Sequence, residues 1–245
     1  PNTQKIWESL KNCISNNMPA ILISPLPAEN GLSTENKEPL LILPEGGTVG
    51  GMQNNLEEVS ALAEEAYKER ENRIVEIGGE EYFMQIFPRR DQLLIIGAGH
   101  ITIPLVRFAK ELGFLTVVID PRTVFANPER FPVPPDKLIS KWPDDVLPDF
   151  PLNEDTYAIL LTHDSKIDDP ALHILLKQNL PYIGALGSSR THSKRCARLL
   201  EAGFDSASIA QIKGPAGADI GAETASEIAL SMIAEVVAAK HGKLK

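Results

Sequence analysis

The sequence predicts an α/β chain of two parts: a smaller α+β unit, then a parallel sheet with helices on both faces. Three observations predict it. Beyond Asp91, continuous apolar runs at 92–96, 115–119, 157–161 and 181–184 alternate with helical patterns at 101–112, 169–179, 189–202 and 224–240. Strands that are apolar throughout and separated by helices belong to a parallel sheet covered on both sides. Before that point the texture is mixed, and Pro88-Arg89-Arg90-Asp91 separates the two textures as a hinge. The reading places an N-terminal domain at 1–90 and a C-terminal domain at 91–245.

In the first domain, residues 4–16 put Ile6, Leu10, Cys13 and Ile14 on one helical stripe, and 19–25 and 39–43 are short apolar runs suited to strands. A polar loop joins these runs. Leu56, Val59, Leu62, Ala63, Ala66 and Tyr67 give 55–70 the pattern of an amphipathic helix, with Glu64, Glu65, Lys68 and Glu69 toward water. Arg73 to Phe87 reads as a hairpin turning at Gly78-Gly79, where positive φ costs little.

Composition narrows the function. With 245 residues, 43% hydrophobic and 23% charged, the chain can build two modest cores. Its net charge is −9, and acidic residues outnumber basic ones on both sides of Arg90. Nucleic acid and anionic membrane are therefore poor partners. The two cysteines, Cys13 and Cys196, lie far apart in helical patterns, which is neither a disulfide framework nor zinc spacing. A cytoplasmic protein without a metal centre is expected. The apolar run Ile228–Ala239 contains Glu235 and falls short of the roughly 20 residues of a membrane span. The start, PNTQKIWESLKN, is charged and amphipathic, so no secretory leader is expected.

The stretch LLIIGAGHITIPLVRFAKELGFLTVVID, Leu93 to Asp120, carries the strongest chemical signal. Gly97 permits a tight turn from strand to helix. Gly99 lets a pyrophosphate approach the backbone, and the following helix presents free N–H groups. Asp120 closes the next strand where a ribose hydroxyl would be read, which selects NAD over NADP. Thr102 stands at the third glycine position of this Rossmann-type fingerprint.

Four later loops follow strand ends and face the same crevice. Phe125 to Pro132, FANPERFP, offers Asn127, Glu129 and Arg130. Thr162-His163-Asp164 reads as free loop, with Asp169 capping the next helix and Pro170 at its first position. His163 and Asp164 are the candidate catalytic pair, suited to proton transfer or to orienting a polar ligand. Gly184, Gly187, Ser188 and Arg190 surround a helix start suited to an anion. In GPAGADIG, Gly214 to Gly221, Asp219 is the candidate ligand residue, and Thr224 with Glu227 forms a capping box for the last helix.

Together the GAGH turn with its acid, FANPERFP, LTHD, YIGALGSSRT and PAGADIGAETASEIALSMIAE resemble the C-terminal Rossmann-type domain of the XdhC/CoxI family, the xanthine dehydrogenase accessory factors. The resemblance covers nearly all of 92–240. It extends to a glycine-rich segment of the smaller first domain, Gly46-Gly47-Thr48-Val49-Gly50-Gly51, ahead of an amphipathic helix. Where family members continue Cys-Val-Glu, this chain has Met52-Gln53-Asn54-Asn55-Leu56-Glu57 and brings no thiol.

The resemblance implies a non-catalytic maturation factor that binds molybdenum cofactor (molybdopterin), helps its sulfuration and delivers it to a xanthine dehydrogenase-like molybdenum hydroxylase apoenzyme. A sulfurtransferase partner and a homo-oligomer fit the same role. The expected cofactor contacts are Gly97, Gly99, His100, Asp120, Thr162, His163, Asp164, Gly184, Gly187, Ser188, Arg190 and Asp219. Two other readings stay open: an NAD-dependent oxidoreductase using His163 or His100 as acid or base, and a nucleotide-sensing regulatory module.

Overall fold

The computed structural model describes residues 2–27, 38–51 and 55–244. The chain folds as two compact units, Pro1–Arg89 and Arg90–Lys245. The linker expected between the first two apolar runs lies mostly outside the described residues, as do Met52, Gln53 and Asn54.

The first unit runs α1 (Asn2–Ser15), β1 (Ala20–Pro25), β2 (Leu40–Ile42), β3 (Thr48–Gly50), α2 (Leu56–Glu69), β4 (Arg73–Ile77) and β5 (Glu80–Phe87). Its antiparallel sheet has the order β3-β2-β1-β5-β4. The side-chain period of two divides β1 between two cores. Ala20 and Leu22 join Ile6, Leu10 and Cys13 of α1, whereas Ile21 and Ile23 join Val59, Ala63 and Ala66 of α2. Ile14, expected on the apolar stripe of α1, is exposed instead. Gly78 and Gly79 turn the β4–β5 hairpin at φ of 61° and 82°. Part of the glycine-rich segment is strand: Thr48–Gly50 pairs with β2.

The second unit runs β6 (Gln92–Ile96), α3 (Thr102–Glu111), β7 (Leu115–Ile119), β8 (Lys137–Ile139), α4 (Pro143–Val146), β9 (Thr156–Leu160), α5 (Ser165–Leu175), β10 (Tyr182–Ala185), α6 (Ser189–Glu201), α7 (Ser206–Ile209), β11 (Ile212–Lys213) and α8 (Ala225–Lys240). Every strand pair is parallel, in the order β8-β7-β6-β9-β10-β11. Leu93 and Ile95 of β6 pack toward α3 and α8, and Leu94 and Ile96 pack toward α5 and α6. This is the doubly wound parallel fold expected. The winding reverses between β6 and β9, so the loops after these strands part and leave a crevice.

One boundary differs from expectation. α5 begins at Ser165, with Asp164 as its N-cap accepting the Lys166 N–H, and Pro170 lies inside the helix. The reason is packing: Ile167 is buried with Ala171, Leu172 and Leu175 on one helical face, and that contact holds the first turn despite the N–H that Pro170 lacks. Among the described residues no helix is long and apolar enough to cross a membrane.

Leu94 is fully buried in the α5–α6 face of the sheet. Leu94→Ala is expected to destabilise the second unit by about 2–5 kcal/mol in urea unfolding. A loss under about 1 kcal/mol would show that this face collapses around the cavity.

Candidate functional site

The crevice at the β6/β9 switch begins with the turn after β6. Gly97 holds φ at 105°, and a Cβ there would lie 2.7 Å from the Thr162 side chain. A residue with a side chain cannot make this turn. Gly99 is the opposite case, since a Cβ on it would meet nothing within 4 Å. Its bare backbone faces open space. Thr102, at the third glycine position, is buried and donates its hydroxyl hydrogen to the Gly97 carbonyl at 2.7 Å. The β-branched residue is accepted because it satisfies a turn carbonyl. α3 then starts without a side-chain cap, and its first turn carries the N–H groups of Thr102 and Ile103, Pro104 having none.

Asp120 does not present its carboxylate to a ribose. It is fully buried, and Oδ2 accepts the Ala98 N–H at 2.7 Å and the Arg122 Nη2 at 2.8 Å. Oδ1 accepts the Arg122 backbone N–H at 3.0 Å and its Nε at 2.9 Å. Burial pushes this carboxyl upward, but the Arg122 fork and the Ala98 N–H together outweigh it and hold it below the ordinary carboxylate range. The acid expected to read a sugar instead fixes the turn and orients an arginine. The preference for NAD over NADP drawn from it loses its basis.

Phe125 lies against that arginine, with the Arg122 guanidinium 4.4 Å and the Arg130 guanidinium 5.1 Å from its ring centre. Arg130 donates through Nη1 to the carbonyls of Ala98, at 2.6 Å, and Phe125, at 2.9 Å. Asn127 caps the short 3-10 turn Pro128–Arg130 by accepting the Glu129 N–H. FANPERFP is thus a buttress for the GAGH turn, and its contribution to the wall is Phe125.

The cleft, about 510 Å³, is lined by Gly99, Arg122, Phe125, Leu161, Thr162, His163, Asp164 and Ser165. Of the residues expected at the site, Gly99, Thr162, His163 and Asp164 meet here. His163 is exposed on the wall, and Asp164 is occupied as a helix cap. Gly97 and Asp120 support the floor from below, and His100 is exposed beside the turn. A second cavity, about 340 Å³ and largely apolar, lies in the first unit between β1 and α2. Its polar lining is Ser60, Glu64, Tyr67 and Lys68, all from α2.

The β10 loop is arranged differently from expectation. Gly184 lies within β10, buried, where a Cβ would fall 2.7 Å from the Tyr182 ring. It makes room for Tyr182 and does not line the cleft. The Tyr182 hydroxyl donates to Glu235 Oε2 at 2.5 Å, and the Gly217 N–H donates to the same oxygen at 2.7 Å. Burial first, then the Glu235 carboxylate, pushes the Tyr182 hydroxyl well above its ordinary value. Ser188 caps α6 by accepting the Thr191 N–H at 3.2 Å. Gly187 stands next to it with φ at 140°, and Arg190 and Asp219 are exposed. None of these four lines the cleft described above.

Sequence reasoning missed a buried polar set behind the wall. Thr162 donates to Asp168 Oδ1 at 2.5 Å, and Asp168 Oδ2 lies 3.7 Å from Arg195 Nη2. Arg195 is 2% exposed and donates Nη2 to the Leu186 carbonyl at 3.0 Å. Among the described residues its Nε and Nη1 have no protein partner, nor has the Nδ1 of nearby His192. Arg122 was missed as well, although a cation two residues past the strand-closing acid was the available signal. For Asp168 and Arg195 the sole signal was polar residues on the apolar stripes of two helices. Among the described residues no group of three or more His, Cys, Asp or Glu side chains gathers as a metal site.

Fold and site together define a doubly wound, Rossmann-type domain whose open cleft sits at the switch point. The family follows from comparison: the XdhC Rossmann domain matches residues 93–236, and the chain belongs to that family. A protein of Bacillus subtilis named as a probable xanthine dehydrogenase component is 34% identical over 155 residues, 63% of this chain and 44% of the relative. The molybdenum cofactor insertion chaperone PaoD of Escherichia coli is 38% identical over 89 residues, 36% of this chain and 28% of its own length. The chain therefore spans less than half of either curated relative. A solved structure of a xanthine dehydrogenase from Bacillus halodurans aligns with a TM-score of 0.73 at 26% identity, covering 99% of this chain and 68% of that one.

Burial pushes the Asp168 carboxyl up to about 7, against the opposing pull of Thr162 and Arg195. A carboxyl raised by folding stabilises the fold when protonated. That contribution is full below about pH 4 and is lost as pH rises through about 7. The Asp168 carboxyl carbon should titrate near neutrality by NMR, and Asp168→Asn should flatten the decline in stability between pH 5 and 8. A midpoint below about 5 would show that Arg195 and Thr162 outweigh burial.

Proposed function

We propose that this chain is a maturation factor that holds molybdenum cofactor, or a related pterin dinucleotide, in the β6/β9 crevice and delivers it to a xanthine dehydrogenase-type molybdenum hydroxylase. The observation that carries the reading is the pairing of Gly97, which the fold requires, with Gly99, which it does not. A bare backbone beside an uncapped helix start is what a phosphate or pyrophosphate needs. The family and the names of the two curated relatives supply the class of cargo.

The residues present fit such a cargo at its phosphate end. Gly99 and the first N–H groups of α3 would meet the phosphate, Arg122 would flank it, and Phe125 and Leu161 give the cleft an apolar surface. The cargo brings its own metal centre and redox chemistry. The protein's task is to bind it, shield it and release it.

Sulfuration falls to a partner sulfurtransferase in this reading. Cys13 is buried in the α1 core, where burial raises its thiol above the ordinary value. Cys196 is half-buried against the α5–α6 core, with Sγ 3.5 Å from His192 Nε2. Neither is placed in the cleft. Both are free thiols, in keeping with action in the cytoplasm.

Gly99→Trp tests the proposal, since a Cβ there meets nothing within 4 Å and the position lines the cleft. The purified wild type is expected to retain or bind molybdopterin in native mass spectrometry, and the variant to lose it while unfolding at the same temperature. Equal retention by both proteins would move the cargo elsewhere. Reduction of NAD+ by the wild type with hydride from an added organic substrate that is itself oxidised, abolished by His163→Ala, would replace the proposal with an oxidoreductase.

A further inference from the structure

We propose that Arg122, and not Asp120, meets the ligand at the β7 edge of the crevice, and that it takes a phosphate monoester. The proposal rests on the reading that this crevice binds a cofactor, and it names the group recognised there.

The reasoning starts from which polar atoms remain available. A ribose diol donates hydrogen bonds to a carboxylate, but the Asp120 carboxylate is fully buried and already accepts four of them. The wall in its place is the Arg122 side chain, 39% exposed. A guanidinium has five N–H donors. Nε and one Nη2 hydrogen point back at Asp120, which leaves the Nη1 pair and the second Nη2 hydrogen on the outer edge. That edge offers donors and a positive charge and no acceptor.

Its orientation is fixed before a ligand arrives. Asp120 grips the guanidinium through two parallel hydrogen bonds, and Phe125 backs its face at 4.4 Å. Arg130, anchored to two carbonyls, packs on the same ring. A planar fork held this way suits the bidentate geometry of a phosphate better than a mobile lysine would. Asp164 also acts on Arg122 electrostatically, but its carboxylate accepts the Lys166 N–H as the α5 cap. Among the described residues no hydrogen bond joins it to Arg122, although it lines the same cleft.

A phosphate monoester reaches such a cleft on a nucleotide ribose or on a pterin side chain, and titration calorimetry separates the two. The probes are NADP+, NAD+, and oxidised molybdopterin with and without its phosphate. The proteins are wild type, Arg122→Ala and Arg122→Lys, each checked by thermal unfolding. If the source is a nucleotide, the wild type binds NADP+ at least tenfold tighter than NAD+, and Arg122→Ala brings the ratio to near one. If it is the pterin, phosphorylated molybdopterin binds at least tenfold tighter than the dephosphorylated form, with the same loss in Arg122→Ala. Arg122→Lys, which keeps the charge and loses the fork, falls between in either case and serves should Arg122→Ala fail to fold.

Equal affinity for both members of each pair, or preference for the unphosphorylated member, overturns the assignment. A preference that Arg122→Ala and Arg122→Lys leave intact overturns it too. The role proposed above fails separately, when the wild type binds no molybdopterin in either form while its discrimination between NADP+ and NAD+ stands.

Discussion

The Asp120 carboxylate, shut away from solvent at the end of β7, ties together the segments that frame the crevice. From it a closed circuit can be traced: to the Ala98 N–H in the turn after β6, from the Ala98 carbonyl to Arg130, from Arg130 across the Phe125 ring to Arg122, and from Arg122 back to Asp120. A carboxylate taken out of water must be paired or it becomes a large penalty. Here the pairing specifies where two loops sit. The shape of the cleft floor and the side chain on its wall are consequences of one satisfied charge.

On the far side of the cleft a different logic holds. Thr162, Asp168 and Arg195 form a buried polar line from the β9 loop through α5 to α6, and it is incompletely satisfied among the described residues. Among the described residues the buried Arg195 guanidinium has two unpartnered nitrogens and a backbone hydrogen bond to Leu186, where the β10 loop begins. The crevice is therefore asymmetric. Its β7 wall presents the outer edge of Arg122 to the cleft, whereas the spare donors of Arg195 lie buried behind its β9 wall, and low surrounding dielectric makes each of those buried donors consequential.

The parallel sheet was legible because both of its faces are buried: β6, β7 and β9 read as unbroken apolar runs with helices between. The short elements β8, α4, α7 and β11 were not, since two to four residues carry no period. Gly78-Gly79 was legible as a hairpin because turn chemistry is local. α5 was misplaced for an instructive reason. Pro170 after Asp169 has the local signature of a helix start, yet the buried contact of Ile167 extends the helix upstream, and tertiary packing overrode the local preference. The site divides along the same line. Gly97, Gly99 and the strand-closing Asp120 can be found by spacing, and they fall together at the turn beside the cleft. Which face of Asp120 is open depends on where Arg122 goes, and that depends on Phe125 and Arg130 from a separate loop. Gly184 looked like a ligand glycine because of its neighbours in sequence, whereas its actual neighbour is the Tyr182 ring. Spacing finds positions, and side-chain competition decides their roles.

Helix α8 bears on β10 and on the loop after β11 in a way its position in the sequence conceals. One oxygen of Glu235 holds both the Tyr182 hydroxyl under β10 and the Gly217 N–H of the loop after β11. An α-helix advances about 1.5 Å per residue, so a slip of α8 by a single residue would draw that oxygen away from both donors at once. The axial register of α8 and the seating of β10 and of the loop after β11 are thus one mechanical variable, so that a shift of the helix along its axis is felt in two separate segments at once.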